Sequence, residues 1–437
     1  MVESTTPHDF ADVQIRSRDD TPWSHPVAVF EYLRAHGPYP ALLWMSPEGE
    51  TIITAGEAAR LSIETHAEWR AGLADAASAA RKALLDSPAR LFFSVYFDPE
   101  QPHAENWNSF APVSLHCPRI MFVCEGDGMR VVTAHSNGDT LDEAALLAAL
   151  READGGPEPE GREPLSAFID WQEVPFQIAV EQTVRTIRRG QAAKVVLARS
   201  IAVKAERDIE TNRLLNALQI SYSDCIIHAI APNARECFIS ATPERLARVR
   251  DGVVRTAALA GTTPTGRTLM EEQQNRRLLQ TNPKLWREHS LVSEMIHTAL
   301  LTICDDVKLS NPEIVRLRNV QHLSTPISGR LKPGTSFTDV VLALHPTPAV
   351  CGTPRPKALE VIRRQEKTQR GLYAGAAGWM DAAGNGDSAV LIRSGLIRGA
   401  EAQLYAGAGI LQESVVKTEM DETRVKLQPM LSALAVS

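Results

Sequence analysis

The 437-residue chain has no apolar run approaching the ~18 residues that a membrane-spanning helix requires. Aromatic residues are scarce, at 5%. Six cysteines (Cys117, Cys124, Cys225, Cys237, Cys304 and Cys351) form no Cys-x-x-Cys pair and no zinc-like cluster, which excludes a disulfide framework or zinc ribbon. Excess positive charge is missing as well: 46 Lys and Arg against 53 Asp and Glu leave a formal net charge of −7. With no basic field, nucleic acid and anionic membrane are unsuitable partners. Residues 1–20 lack the basic-then-apolar layout of a signal peptide. Glycine-rich phosphate loops of the P-loop or dinucleotide type are also absent. What is present, 44% hydrophobic and 23% charged residues, is ordinary for a globular chain with a large core. The expectation is a reduced, cytoplasmic protein. Its length suits two or three domains or one large intertwined unit.

Short strands separated by turn residues recur along the chain. Ala41–Met45 and Thr51–Thr54 flank Ser46-Pro-Glu-Gly49, and Leu91–Phe97 is aromatic. Arg119–Cys124 and Met129–Ala134 flank Asp127-Gly128, a hairpin signal. Leu246–Arg250 and Val253–Ala257 surround Asp251-Gly252; Gly378–Asp381 and Ser388–Ile397 surround Gly384-Asn-Gly386. Ala402–Ala406 returns after Arg398-Gly399. Helical stretches are Ala71–Leu85, Leu141–Leu150 and a segment opened by Pro175, with Phe176, Val180, Val184 and Ile187 at helical spacing. Hairpins joined this way predict an α+β fold, with large antiparallel sheets at the centre and helices packed outside. The Pro/Gly-rich acidic stretch from Asp154 to Pro164 reads as an exposed loop. It is the best boundary candidate and divides an N-terminal part, 1–165, from a second part, 166–437.

Several residues carry chemical weight. Lys194 opens the apolar strand Lys194-Val-Val-Leu-Ala-Arg199, with Val196 and Ala198 on its face. A buried lysine relieved of its proton is a competent base; a strand-end lysine snorkelling to water is the plainer alternative. Glu244 follows a strand in Thr242-Pro-Glu-Arg245, placed to act as a general acid or simply to pair with Arg245. Asn282-Pro283 caps a helix running to about Cys304, and Glu288 lies inside its apolar stripe, where a carboxylate wants a cation. Glu419, Glu422 and Lys426 share one helical face; with Glu288 they can build an oxygen-ligand site for magnesium, or else form a solvated face. Pro429 predicts a kink or an end to that helix. Arg393 is a charge within an apolar strand, and Ala406-Gly-Ala-Gly409 lets backbone amides approach an anion.

Taken together, these segments resemble the chorismate-utilising enzymes, and within them the isochorismate synthases. The resemblance runs from about residue 175 to the C-terminus and includes Leu259-Ala-Gly-Thr262, Gln321-His-Leu323, Leu344-His-Pro-Thr-Pro-Ala349 and Gly371–Gly375. It implies an isomerase that converts chorismate reversibly to isochorismate with Mg2+, water adding at C2 as hydroxyl leaves C4. By that resemblance Lys194 is the base, Glu244 the acid, and Glu288 and Glu422 metal ligands with Glu419 beside them. Thr262, His322, Tyr373, Arg393, Gly407 and Lys426 match substrate-binding positions. Met420, Lys367-Thr-Gln369 and Thr263 depart from the family's usual residues without touching a proposed catalytic group. Lys194 argues for water rather than ammonia as nucleophile, so no glutaminase subunit is expected; a monomer is expected as well. The alternatives are a salicylate synthase, which goes on to eliminate pyruvate, and a silent chorismate-binding homologue. The product would feed menaquinone, siderophore or salicylate synthesis.

Overall fold

A computed structural model describes residues 10, 13–63, 68–102, 104–136, 141–156, 165–266, 268–316, 318 and 320–435. The first half contains β1 (Gln14–Asp20), α1 (Pro26–His36), β2 (Ala41–Met45), β3 (Thr51–Ile63), α2 (Trp69–Ala83), β4 (Arg90–Val95), β5 (Val113–Glu125), β6 (Gly128–His135), α3 (Glu143–Asp154) and β7 (Ala167–Asp170). Next come α4 (Glu173–Arg188), β8 (Lys194–Ala205), α5 (Thr211–Ser221), β9 (Ile226–Asn233), β10 (Glu236–Thr242), β11 (Arg245–Arg250), β12 (Val253–Pro264), α6 (Leu269–Thr281) and α7 (Pro283–Ile303). The remainder is β13 (Cys304–Leu309), β14 (Glu313–Arg316), β15 (Val320–Leu331), α8 (Phe337–Leu344), β16 (Gly352–Thr353), α9 (Arg355–Gln365), β17 (Ala376–Asp381), β18 (Gly386–Val390), β19 (Ser394–Arg398), β20 (Glu401–Ile410) and α10 (Val416–Ala433).

Every recorded pairing is antiparallel, as the hairpin signals require. One run of strands goes β1-β6-β5-β3-β2-β9-β10-β19-β20-β8-β7. A second goes β5-β4-β17-β18-β11-β12-β15, so β5 serves both. Strands from the first 165 residues therefore pair directly with later ones, β2 with β9 and β4 with β17. One core includes Trp44, Phe92, Phe93, Trp107, Phe238 and Trp379 together with residues of α2, α4, α7, α8 and α9. A second core joins the outer helices α1, α5 and α10 to strand residues such as Leu43, Ile201 and Ile239. The apolar stripes of these helices, not intrinsic propensity, hold them in place.

Local chemistry sets the hairpins. Asp251 and Gly252 both take positive φ, the backbone a tight β11–β12 turn needs. One expectation is corrected and another narrowed. Ser388–Ile397 is not one strand: it breaks into β18 and β19 at Arg393, whose φ of 51° is left-handed. Nor does Pro429 end its helix. The helix α10 continues to Ala433, because Met430, Leu431 and Ala433 are buried in the outer core and that burial outweighs one lost backbone hydrogen bond. Of the loop expected at Asp154–Pro164, residues 157–164 lie outside the described residues. Among the described residues no helix is long and apolar enough to cross a membrane, and all six cysteines are free thiols.

Candidate active site

The ends of β8, β12, β15 and β20, the break at Arg393 and the inner faces of α7 and α10 enclose one cavity. Lys194, Glu244, Thr262, Glu288, His322, Tyr373, Arg393, Gly407 and Lys426 all line it. Nine of the eleven residues singled out from sequence thus share one space. Glu419 and Glu422 are not in the lining but stand just behind it on α10, and Lys426 Nζ reaches Glu422 at 2.6 Å.

Strand alternation turns Lys194 and Val196 into the cavity while Val195 and Leu197 enter the core. Lys194 does not snorkel. Its side chain is 1% exposed, and its Nζ lies 2.9 Å from Oε1 of Glu288. Burial opposes ionisation of Glu288, but the Lys194 ammonium outweighs it and holds the carboxyl below its ordinary range. Gly409 makes room for this pair: a Cβ there would sit 2.6 Å from the Glu288 carboxylate and 3.1 Å from Lys194 Cε.

Glu244 is buried and does not pair with its neighbour; Arg245 turns away to Glu48 and Asp387. The Thr347 hydroxyl donates to Glu244 at 3.3 Å. Burial pushes the Glu244 carboxyl up to about 7, against smaller opposing effects from Thr347, Lys194, Lys426 and Arg393. A carboxyl poised near neutrality can hold a proton and give it up. Thr347 was missed in the sequence because its segment, Leu344–Ala349, carried no titratable signal of its own besides His345.

Across the cavity stands a set of cationic and neutral donors. The Arg393 guanidinium meets the Cys225 sulfur at 3.8 Å and, among the described residues, no carboxylate. Lys426 donates to the carbonyl of Gly407 at 3.0 Å, so that residue presents an occupied oxygen as well as its amide. Burial works against the Lys426 charge, but Glu422 outweighs it and holds the ammonium above its ordinary value. Tyr373 stacks on Tyr405 with ring centroids 5.2 Å apart, and burial pushes its phenol up to about 12, keeping it a donor. Burial and the nearby Arg393 and Lys426 hold His322 neutral; its Nδ1 meets the Thr262 hydroxyl at 2.9 Å.

Among the described residues no three His, Cys, Asp or Glu side chains form a ready metal cluster. Each acid in question instead has a lysine: Lys194 on Glu288, Lys284 on Glu419 at 3.1 Å and Lys426 on Glu422. Lys284 escaped the sequence reading although it stands four residues before Glu288 on one helical face. Glu419 is fully buried, and its Oε2 has no hydrogen-bond partner among the described residues. Burial first, and the neighbouring Glu422 charge second, push its carboxyl up. Carboxylates crowded this way, one with an orphaned oxygen, fit a hard divalent cation that keeps waters and accepts few protein ligands.

A buried lysine, a carboxyl poised near neutrality and facing cations, set between antiparallel sheets, define a class: enzymes equipped for acid–base chemistry on a small molecule. The chain belongs to the chorismate-binding enzymes, whose family profile (Chorismate binding enzyme) matches residues 11–435. It is 34% identical over 416 residues to the salicylate biosynthesis isochorismate synthase of Pseudomonas aeruginosa, covering 91% of this chain and 85% of that one. It is also 34% identical to isochorismate synthase MenF of Bacillus subtilis, over 79% and 74% of the two chains. Among solved structures, the menaquinone-specific isochorismate synthase MenF of Escherichia coli superposes with a TM-score of 0.78 at 26% identity, covering 99% of this chain and 96% of that one.

Proposed function

We propose that the protein is an isochorismate synthase, an isomerase that interconverts chorismate and isochorismate. The observation that carries this reading is the pairing, in one cavity, of buried Lys194 with a Glu244 carboxyl poised near 7. Water addition at C2 with loss of hydroxide from C4 needs one group to take a proton and another to give one. Lys194, once it has shed its proton, takes one from the attacking water. Protonated Glu244 delivers one to the C4 oxygen as the C–O bond breaks. Ring, two carboxylates and enolpyruvyl side chain are conserved, so atoms balance: one water enters and one leaves. In reverse the two groups exchange roles.

Arg393, Lys426, Tyr373 and the amide of Gly407 grip the side-chain carboxylate, and Thr262 with neutral His322 orients the ring. Enzymes of this family generally need a divalent metal. Here we assign Mg2+ to Glu288 and Glu422, with Glu419 acting beside them; it would neutralise the ring carboxylate. The relatives named above support the same chemistry, as does the lysine, since relatives that use ammonia have no need of a base to activate water. Water as nucleophile also removes any need for a glutamine-hydrolysing partner. Residues 166–437 hold every assigned group. The test is chromatographic product identification after incubation with chorismate and Mg2+. Isochorismate alone supports the reading; salicylate with pyruvate, or no turnover, contradicts it.

A further inference from the structure

The strand that bears Lys194 is paired unevenly. One edge of β8 is bonded to β20 from Val195 to Lys204. Among the described residues the other edge pairs with β16 at Lys194 and Val195, is bonded once more from the Val196 amide to the carbonyl of Cys351 at 2.9 Å, and pairs with β7 from Ala202 to Ala205. In the gap, an ion pair stands in for a strand. Arg370 Nη2 donates to the carbonyl of Val196 at 2.7 Å, and Glu366 Oε1 accepts from the amide of Ala198 at 2.8 Å. The two side chains are 3% and 7% exposed and hold each other through two bonds, of 2.5 and 2.9 Å.

Arg370 also reaches in a second direction. Its Nη1 donates to the carbonyl of Val350 at 2.8 Å, and its guanidinium lies 3.9 Å over the Phe97 ring. Val350 belongs to the turn whose amides, from Val350 and Cys351, bond back to the carbonyl of Thr347 at 3.2 and 2.9 Å. The Thr347 hydroxyl is the donor to Glu244. One guanidinium thus joins the backbone next to Lys194 to the turn that grips Glu244, while neither Arg370 nor Glu366 lines the cavity. A buried ion pair adds little net stability over an apolar replacement, so the value of this one lies in the four backbone and side-chain groups it ties together.

We propose that Glu366 and Arg370 form a positioning pair that sets the spacing between Lys194 and Glu244. This rests on the assignment of those two residues as base and acid. A lysine at 370 is a single point of charge and cannot reach Val196, Val350 and Glu366 at once. Arg370→Lys is therefore expected to lower kcat by roughly 10- to 100-fold with KM changed less than about threefold, since misplacement of reacting groups costs rate more than binding. The limb of the pH profile that belongs to Glu244 should move to higher pH, because the Thr347 hydrogen bond draws that carboxyl's pKa down. Lys194, Lys426 and Arg393 also face Glu244 and are unaltered in the variant.

The experiment is a double-mutant cycle in the full-length enzyme with Arg370→Lys and Thr347→Val, reading kcat, KM and the pH limb. Strong non-additivity supports the proposal, since both changes break one path. Additive effects overturn it, as does a loss of melting temperature with kcat and the pH limb unchanged. Should Arg370→Lys fail to fold, Glu366→Gln carries the same cycle. Wild-type turnover in Lys194→Ala would instead mean that the base assignment has failed, whatever the clamp does.

Discussion

Glu244→Gln separates the chemistry of this carboxyl from its place in the fold. With a pKa of about 7 rather than the ordinary 4.5, about half of the enzyme carries the acid proton at pH 7, against roughly 0.3% for an ordinary glutamate. Burial therefore enlarges the competent pool by about two orders of magnitude. The same shift acts on stability. Because the folded carboxyl holds its proton more tightly than the unfolded one, the stability linked to it is fully present below pH 4.5 and is lost as pH rises through 7. Between pH 5 and pH 8 this amounts to about 2.5 kcal/mol. Glutamine does not titrate, so the variant should gain about that much on wild type over the same interval. Urea unfolding of both proteins at the two pH values, without substrate, measures it. Turnover in the variant should fall roughly 10²–10⁴-fold in both directions while chorismate still binds by calorimetry. A stability difference independent of pH would refute the buried, proton-holding carboxyl. Near-normal rates in either direction would remove it from the mechanism.

Lys194→Ala should abolish turnover with the fold intact, and Lys194→Arg should not restore it, since arginine keeps the charge but does not deprotonate; substantial activity in Lys194→Arg, measured by product chromatography, would reduce the lysine to a counter-ion for Glu288. Chelation with EDTA should eliminate activity and Mg2+ should restore it, whereas full activity in metal-free buffer would contradict the assignment of Glu288 and Glu422. Gly409→Ala should cost at least tenfold in kcat with a small change in melting temperature, because the new methyl group displaces the Lys194–Glu288 pair rather than core packing; unchanged kinetics would mean the pair is not needed where it stands.

Much of the local architecture was legible because turns and caps are short-range chemistry. Asp251-Gly252 announced its hairpin, and Asn282 caps α7 by accepting from the amides of Lys284 and Leu285. Pairings between distant strands, such as β2 with β9, leave no comparable mark, since any apolar strand satisfies them equally. Arg393 shows the limit for backbone conformation. Val390-Leu-Ile-Arg-Ser394 reads as continuous strand, yet tertiary contacts impose a left-handed residue there; the Ser240 hydroxyl and the Ala241 amide bond the carbonyls of Ile392 and Arg393 on either side of it. Lys194 illustrates the same limit for side chains. From position alone its water-seeking alternative is reasonable, and only the carboxylate arriving from α7 makes burial tolerable. The residues that support the site, Thr347, Lys284, Glu366 and Arg370, act through geometry between distant segments. Lys284 stands four before Glu288 on α7 yet pairs with Glu419 of α10, and the four-residue spacing of Glu366 and Arg370 does not reveal the backbone groups they hold.

The central claim is that this cavity adds a water molecule to chorismate as another leaves. Single-turnover reaction in H2(18)O with Mg2+, followed by mass spectrometry of the product, tests it most directly. The account predicts isochorismate carrying one solvent oxygen at C2 from the first turnover, and none formed by Lys194→Ala. Unlabelled isochorismate, as from internal migration of the C4 hydroxyl, would contradict it.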